Sequence, residues 1–360
     1  MSLLRKTDRT LVERSVISIL KCGTIPTHIA FIMDGNRRYA KKQKTNTIIG
    51  HRAGFDKLSE TISWCRDLGV NQVTFYAFSI ENFKRSADEV EGLLNLTREQ
   101  LLKLIDEFEK IDKNQLCIRV HGKIDLMPLD IQQLIARVVL HTCRNSRFFL
   151  NICFAYTARE EISNAFLDLG KCVEAGLIET DDINEFALSE SLYSTGLSDP
   201  DILLRTSGEI RLSDFLLWQT NFSYISFVDE LWPDFSIWTL FGGILDYQVK
   251  HRSIRQKRED YKKRLHEEDM VLCEKRYQAY LNRDDQRSNS TITFEDFIDQ
   301  RNQRLEKCYQ FIRNKRNQFL KELVKDLSMN YFNTLKESCS LTDQFNNNSI
   351  GNGNGHAKTL

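Results

Sequence analysis

Arginines gather where apolar runs end in this 360-residue chain. The run Ile29–Met33 passes directly into Asp34-Gly35-Asn36-Arg37-Arg38. A second run, Val73–Ser79, is followed by Glu81, Asn82, Lys84 and Arg85. A third, Asp201–Arg205, leads into Thr206-Ser207-Gly208-Glu209-Ile210-Arg211-Leu212-Ser213. Arginine's planar fork matches phosphate oxygens, and glycine lets backbone N–H groups approach an anion. A lone carboxylate repels a bare phosphate but suits Mg²⁺ bound to one. Arg37, Arg38, Arg85, Arg205 and Arg211 beside the glycine-borne Asp34 therefore point to a diphosphate ligand, or to two. Taken singly, Asp-Gly-Asn is common turn punctuation, and Arg205-Thr-Ser-Gly is an ordinary turn with Ser213 as a local cap. His51, after Gly50, reads equally well as a helix-start histidine. The gathering at three run ends is what argues for a site.

Those residues need elements to position them. Six apolar runs, Ile29–Met33, Val73–Ser79, Leu116–His121, Phe148–Phe154, Asp201–Arg205 and Tyr224–Val228, read as strands. Their near-continuous apolarity suits a parallel sheet covered on both faces. Helical patterns lie between them, so the expected architecture is βαβ, with all strand carboxyl ends on one rim. A helix should open near Tyr39. Val90, Leu93, Leu94, Leu101, Leu104, Ile105, Phe108 and Ile111 share one face and predict a single helix from Val90 to Ile111. After Trp232-Pro233 the chain is charge-dense and proline-free, which predicts long helices over roughly 237–283 and 294–337. At the start, residues 3–20 read as an amphipathic helix, with Leu4, Leu11, Val16, Ile17 and Leu20 opposite Arg5, Lys6, Arg9 and Arg14. It either packs on its own domain or serves a membrane surface or substrate gate. The Asn/Gly stretch from Phe345 to His356 should be disordered. The expected division is an N-terminal helix to residue 24, an α/β domain over 25–250, a charged helical extension over 251–340 and a tail over 341–360.

Lys+Arg 50 equals Asp+Glu 50, so no net field favours nucleic acid, and the basic run 250–265 reads as a solvated helical face. Nine cysteines without a C-x-x-C pair suggest a reducing compartment and neither a disulfide framework nor a zinc site. No apolar run approaches the ~18 residues that span a bilayer, and the N-terminus lacks a signal-peptide core. There is no P-loop and no G-x-G-x-x-G. Asp181-Asp182 and Asp284-Asp285 lack the third aspartate of an Asp-Asp-x-x-Asp cluster, which argues against an all-helical, aspartate-rich prenyl-transfer enzyme. The wide apolar faces of the helices after the first two strands would instead line a pocket for a long hydrocarbon.

Three blocks carry a resemblance: His28–Lys42, Tyr76–Arg85 and Asp201–Gln219. Together they resemble the signature of the cis-prenyltransferase (undecaprenyl diphosphate synthase-like) family, on its eukaryotic dehydrodolichyl diphosphate synthase branch, over about residues 1–250. The resemblance implies a single parallel six-stranded sheet flanked by helices, with an N-terminal helix and long C-terminal helices. It implies repeated cis condensation of isopentenyl diphosphate onto farnesyl diphosphate, making dehydrodolichyl diphosphate for dolichol synthesis and protein glycosylation. Asp34 would bind Mg²⁺ on the allylic diphosphate, with Gly35, Arg37, Arg38 and His51 around that group. Arg205, Arg211 and Ser213 would hold isopentenyl diphosphate, with Arg85 near both. Asn82 and Ser79 would stand at the proton-removal step, although an amide is a poor base and a substrate diphosphate oxygen is the better acceptor.

Departures from the family pattern matter. Tyr224 stands where bacterial members have an acidic residue, Thr47 where they have an arginine, and Lys123 where Gly-Asp is common. The Arg-x-Gly motif that ends self-sufficient members is found only as Arg52-Ala53-Gly54. The expectation is therefore a heteromer with a related, non-catalytic, membrane-anchored subunit that carries the motif. Such a complex would sit peripherally at the cytosolic face of the endoplasmic reticulum membrane. A regulatory, non-catalytic subunit is the competing class, and joint retention of Asp34, Asn82, Arg205 and Arg211 argues against it. A membrane or nucleic-acid adaptor built on the basic helix at 250–265 is the weakest reading.

Overall fold

The computed structural model describes residue 3 and residues 8–284, 292–325 and 327. Six strands form one sheet: β1 (His28–Ile32), β2 (Gln72–Ser79), β3 (Leu116–His121), β4 (Phe148–Tyr156), β5 (Ile202–Arg205) and β6 (Tyr224–Phe227). Their order is β3-β4-β2-β1-β5-β6, and every neighbouring pair is parallel. All six apolar runs are strands, and β1 is buried along its whole length, as a strand covered on both faces must be. The chain leaves β1 toward β2 and later returns to β1's other side with β5. The crevice between the ends of β1 and β5 is thus the topological switch point, where open α/β sheets bind ligands.

The connecting helices are α1 (Leu11–Leu20), α2 (Asn36–Lys42), α3 (Thr47–Leu68), α4 (Ala87–Asp106), α5 (Phe108–Lys113), α6 (Leu129–Thr142), α7 (Ala158–Glu174) and α8 (Glu185–Ser189). The long α9 (Ile237–Asp284) and α10 (Phe294–Val324) follow β6. One sheet face presents Ile29, Phe31, Val73 and Phe75 to the main core, shared with α3, α4, α6, Trp232 and Phe235. Phe31 stacks on Phe75 at 5.0 Å, and Trp232 lies 6.0 Å from Phe31. The other face presents Ala30, Ile32, Cys153 and Leu203 to Phe215 and Leu216. A smaller core joins α7 and α8 to α10 through Leu169, Cys172, Leu305 and Ile312.

Several expected boundaries differ. The helix expected over 90–111 is two: Glu107 leaves helical geometry (φ −100°, ψ 14°), and α5 restarts at Phe108. The two pieces keep Ile105 and Ile111 buried, so the apolar periodicity reads straight through the break. At the N-terminus, Thr10 is extended and caps α1 with Glu13, so the helix starts at Leu11. Ile17 and Leu20 are buried as expected, but Leu11 is exposed, and Arg9 turns inward to Asp67 at 2.8 Å. Leu4, Arg5 and Lys6 lie outside the described residues, as does the Asn/Gly stretch. α9 and α10 start where expected. α10 ends at Val324, and nearly all of the remainder of its expected span lies outside the described residues. α9 runs unbroken through residue 250, so the α/β part and the extension share one helix.

Candidate active site

The turn after β1 depends on glycine. Gly35 has φ +108°, a left-handed conformation, and a Cβ there would sit 2.9 Å from the Leu231 side chain. Close behind, α3 crosses under the start of α2 at Gly50, where a Cβ would lie 2.3 Å from the Asn36 carbonyl oxygen. Only glycine permits that approach, and it brings His51 against Asn36, with Asn36 Nδ2 3.4 Å from His51 Nδ1.

Asp34 is held from several sides. Its backbone N–H donates to Thr206 Oγ1 at 3.0 Å, and its carbonyl accepts from Trp232 N at 2.9 Å. Its Oδ1 accepts from Gly35 N at 2.7 Å, and its Oδ2 from Arg205 Nη2 at 2.8 Å. Partial burial resists ionisation, but the Arg205 hydrogen bond and charge, the Gly35 N–H and Arg38 hold the carboxyl below its ordinary range. Arg205 is 3% exposed. Its Nη1 donates to the Arg211 carbonyl at 2.5 Å and to Ser213 Oγ at 2.6 Å. Arg211 is exposed and pairs with Glu209. Arg38 donates to the Ser207 carbonyl at 2.9 Å and lies 3.3 Å from Glu209.

At the end of β2, Ser79 and Asn82 close a reciprocal cap: Ser79 Oγ accepts from Glu81 N, and Asn82 Oδ1 accepts from Ser79 N at 3.0 Å. The Asn82 carbonyl oxygen is thus engaged, and its Nδ2 is the atom that can donate to a ligand. Arg85 pairs with Glu89 at 2.8 Å, and Glu89 also lies 3.5 Å from His51 Nε2. Burial, Arg85 and Arg37 lower the His51 pKa to about 4 against the pull of Glu89, so the imidazole is neutral at pH 7.

Ser79 and Arg205 are the last residues of β2 and β5, His51 lies in the second turn of α3, and the other eight residues singled out in the sequence follow the carboxyl ends of β1, β2 and β5. Four further residues are integral to the arrangement: Thr206, Ser207, Glu89 and Glu209. The acidic pair is not legible in the sequence, since nothing in a surface-type Glu announces an arginine partner. Thr206 and Ser207 were legible only as turn residues. Tyr224 is far from this rim, at the amino end of β6, with its hydroxyl 3.2 Å from Asp246.

Below the rim lies an apolar cavity of about 150 Å³. Its lining runs from Met33, Asn36 and His51 over Leu58, Phe78 and Leu101 to Ile135. Asn36 Oδ1 and His51 Nε2, both of residues in that lining, are buried with no hydrogen-bond partner. Unsatisfied polar atoms at the mouth of an apolar cavity suit a ligand with an ionic head and a hydrocarbon tail. Among the described residues no group of three or more His, Cys, Asp or Glu could cage a metal. Asp34 alone fits Mg²⁺, which is commonly held by one or two carboxylates with phosphate oxygens and waters completing its shell.

A doubly wound sheet with an arginine-rich switch point over an apolar cavity defines a diphosphate-binding α/β protein. The comparisons refine this. A family profile described as putative undecaprenyl diphosphate synthase, a prenyltransferase family, matches residues 32–255. The chain is 51% identical over 261 residues to a human dehydrodolichyl diphosphate synthase complex subunit, covering 72% of this chain and 78% of the human one. It is 39% identical over 240 residues to a Thermococcus kodakarensis tritrans,polycis-undecaprenyl-diphosphate synthase, covering 67% of this chain and 90% of that protein. Among solved structures, lavandulyl diphosphate synthase from Lavandula x intermedia matches with a TM-score of 0.59 at 31% identity, over 62% of this chain and 95% of that one. The chain belongs to the cis-prenyltransferase family.

Proposed function

We propose that this chain is the catalytic subunit of a long-chain cis-prenyltransferase that adds isopentenyl diphosphate units to farnesyl diphosphate, yielding dehydrodolichyl diphosphate. The observation that carries the reading is the Asp34–Arg205 pair at the β1/β5 switch point beside Met33 and Asn36 of the cavity lining, which sets an ionic head next to a hydrocarbon tail. Gly35, Arg37, Arg38 and His51 bind the allylic diphosphate, and the prenyl tail occupies the cavity. Arg205, Arg211 and Ser213 bind isopentenyl diphosphate, and Arg85 serves both groups. Asp34 would hold Mg²⁺, which when bound would supply charge neutralisation for the departing diphosphate.

In each condensation the allylic C1–O bond breaks, a C–C bond forms to isopentenyl C4, and the proton at isopentenyl C2 leaves. Arginines aimed at the leaving diphosphate stabilise the charge that grows there. Asn82, fixed by Ser79, orients isopentenyl diphosphate through Nδ2, and a diphosphate oxygen takes the proton, since an amide is a weak base.

The human and mouse relatives are named as subunits of a complex. Those names support a partner subunit; the further reading is a membrane-anchored, non-catalytic relative bearing a C-terminal Arg-x-Gly motif, with the complex peripheral at the cytosolic face of the endoplasmic reticulum. No helix among the described residues is long and apolar enough to cross a membrane. The test is incorporation of labelled isopentenyl diphosphate into farnesyl-primed product with Mg²⁺, for the chain alone and co-purified with such a partner. Long polyprenyl products, formed far faster by the complex, are expected. No incorporation in either form contradicts the catalytic reading, and equal rates contradict the partner requirement.

A further inference from the structure

The loop after β5 is strained. Ser213, Asp214 and Leu216 adopt φ of +49°, +60° and +46°, and Ser207 one of +83°. Non-glycine residues persist in this region only where their surroundings over-determine them. Here the surroundings are a buried stack behind the loop. Phe215, fully buried, lies flat on Tyr76 at 4.5 Å and edge-on to Tyr156 at 6.0 Å. Tyr76 Oη donates to the Ser213 carbonyl at 3.3 Å and the Tyr156 carbonyl at 3.0 Å. The Asp214 carbonyl accepts from Ala158 N at 2.7 Å, at the start of α7.

Tyr156 is itself fixed by Glu161, a carboxylate with 1% exposure. Glu161 Oε2 accepts from Tyr156 Oη at 2.5 Å and from Gln219 Nε2 at 3.0 Å, and Oε1 accepts from Tyr193 N at 2.9 Å. Tyr193 in turn lies under Arg316 of α10, whose guanidinium sits 5.1 Å from the ring centre. Arg316 donates to the Leu192 carbonyl at 2.8 Å and the Ser191 carbonyl at 2.6 Å, and lies 3.7 Å from Asp168. An unbroken series of packed and hydrogen-bonded groups thus joins the charged extension to Arg205 and Ser213.

We propose that α10 positions the loop that receives isopentenyl diphosphate: Arg316, acting through residues 191–193 and Glu161, keeps Tyr156 and Phe215 in place and so holds Ser213 and Arg205 in binding geometry. Arg316 and Glu161 are positioning residues, and neither touches a reacting atom. The inference rests on the reading of Arg205, Arg211 and Ser213 as the isopentenyl diphosphate ligands. It gives the extension a part in substrate selection on the far side of the sheet from the hydrocarbon cavity.

The test compares Arg316→Met and Tyr156→Phe with wild type, using the full chain in the assembly that turns over. Tyr156→Phe keeps the ring stack and removes only the hydroxyl that reaches Glu161, so it serves where Arg316→Met folds poorly. The readouts are KM for each substrate, kcat, and direct binding of isopentenyl diphosphate in the presence of farnesyl thiodiphosphate, whose C1–S bond does not ionise. Small displacements of binding groups have large kinetic effects, so KM for isopentenyl diphosphate should rise about tenfold or more. Direct binding of isopentenyl diphosphate should weaken in parallel, and KM for farnesyl diphosphate should stay within about twofold. An unchanged isopentenyl KM, with only kcat or the folded fraction falling, overturns the proposal, as does an equal rise for both substrates. A wild-type chain that incorporates nothing overturns the underlying function as well, whereas an active wild type with variants of unaltered KM overturns this inference alone.

Discussion

Arg205 and Asp34, 171 residues apart in sequence, meet at 2.8 Å across the gap between β5 and β1. The pairing register explains the meeting: Ile32 lies opposite Arg205, so the residues just beyond β1 face the end of β5. Arg205 is almost fully buried, and a buried guanidinium needs a counter-charge. Asp34 is therefore the structural partner of one substrate arginine and the candidate metal ligand for the other substrate. In the proposed function this one carboxylate would link the two diphosphate positions.

That double role shapes the first prediction. Asp34→Asn should retain the fold, because the carboxamide oxygen can still accept from Arg205, while turnover falls by about a thousandfold, from several kcal/mol of lost charge stabilisation. Steady-state kinetics beside circular dichroism checks this. Asp34→Ala should cost stability as well, since it strands the Arg205 charge. Near-normal turnover in Asp34→Asn would contradict the assignment.

The cavity predicts product length. Ile135 of α6 lines it away from the charged rim. Ile135→Phe should shorten the products by filling that end, at a stability cost of about 1–3 kcal/mol from overpacking. Chromatography of the polyprenyl products measures the shift. An unchanged length distribution would mean that the chain grows along another path.

Three histidines make stability acid-sensitive. His28, His51 and His121 each have a pKa lowered to about 4, chiefly by burial, with Arg85 adding at His51 and Arg119 at His121. Each binds a proton more readily when unfolded. Their stabilising effect is therefore full above about pH 6.5 and lost as pH falls toward 4. Each contributes a slope of up to about 1.4 kcal/mol per pH unit in that window. Urea midpoints between pH 7.5 and 5 should fall steeply, and His121→Gln should flatten the fall. A midpoint that stays level to pH 5 would show that these imidazoles are not buried in neutral form.

The extension is fastened by charge. Asp182, 1% exposed, lies 3.1 Å from Arg304 and 3.6 Å from Arg301, and Arg301 makes two hydrogen bonds to Asp269, at 2.8 and 2.9 Å. Removing one partner of a buried network leaves a charge without compensation, so Asp182→Ala should destabilise by about 3–5 kcal/mol. Denaturant unfolding would register this, and a change below about 1 kcal/mol would mean that the network is hydrated.

The strands are legible in the sequence because runs such as Ile29–Met33 are apolar on both faces. The rim is legible because its arginines follow those runs directly. The break at Glu107 is hidden because the apolar spacing continues across it, and the start of α1 because Thr10 caps a pattern that extends further back. Partners set by tertiary geometry leave no local trace. Glu89 and Glu209 look like solvated helix or turn residues, and the burial of Glu161 beneath Tyr156 depends on the meeting of α7, the 191–193 segment and α10. The cap that Asn82 closes with Ser79 is set by the turn of the chain after β2, which no local pattern announces.

The most direct measurement of the central claim is condensation itself. The full chain, with the proposed partner, Mg²⁺ and farnesyl diphosphate, is supplied with labelled isopentenyl diphosphate, and the products are resolved by length and double-bond geometry. The account predicts long polyprenyl diphosphates in which every added unit is cis, and loss of that activity in Asp34→Asn. Absence of condensation, or products whose added units are trans, would contradict it.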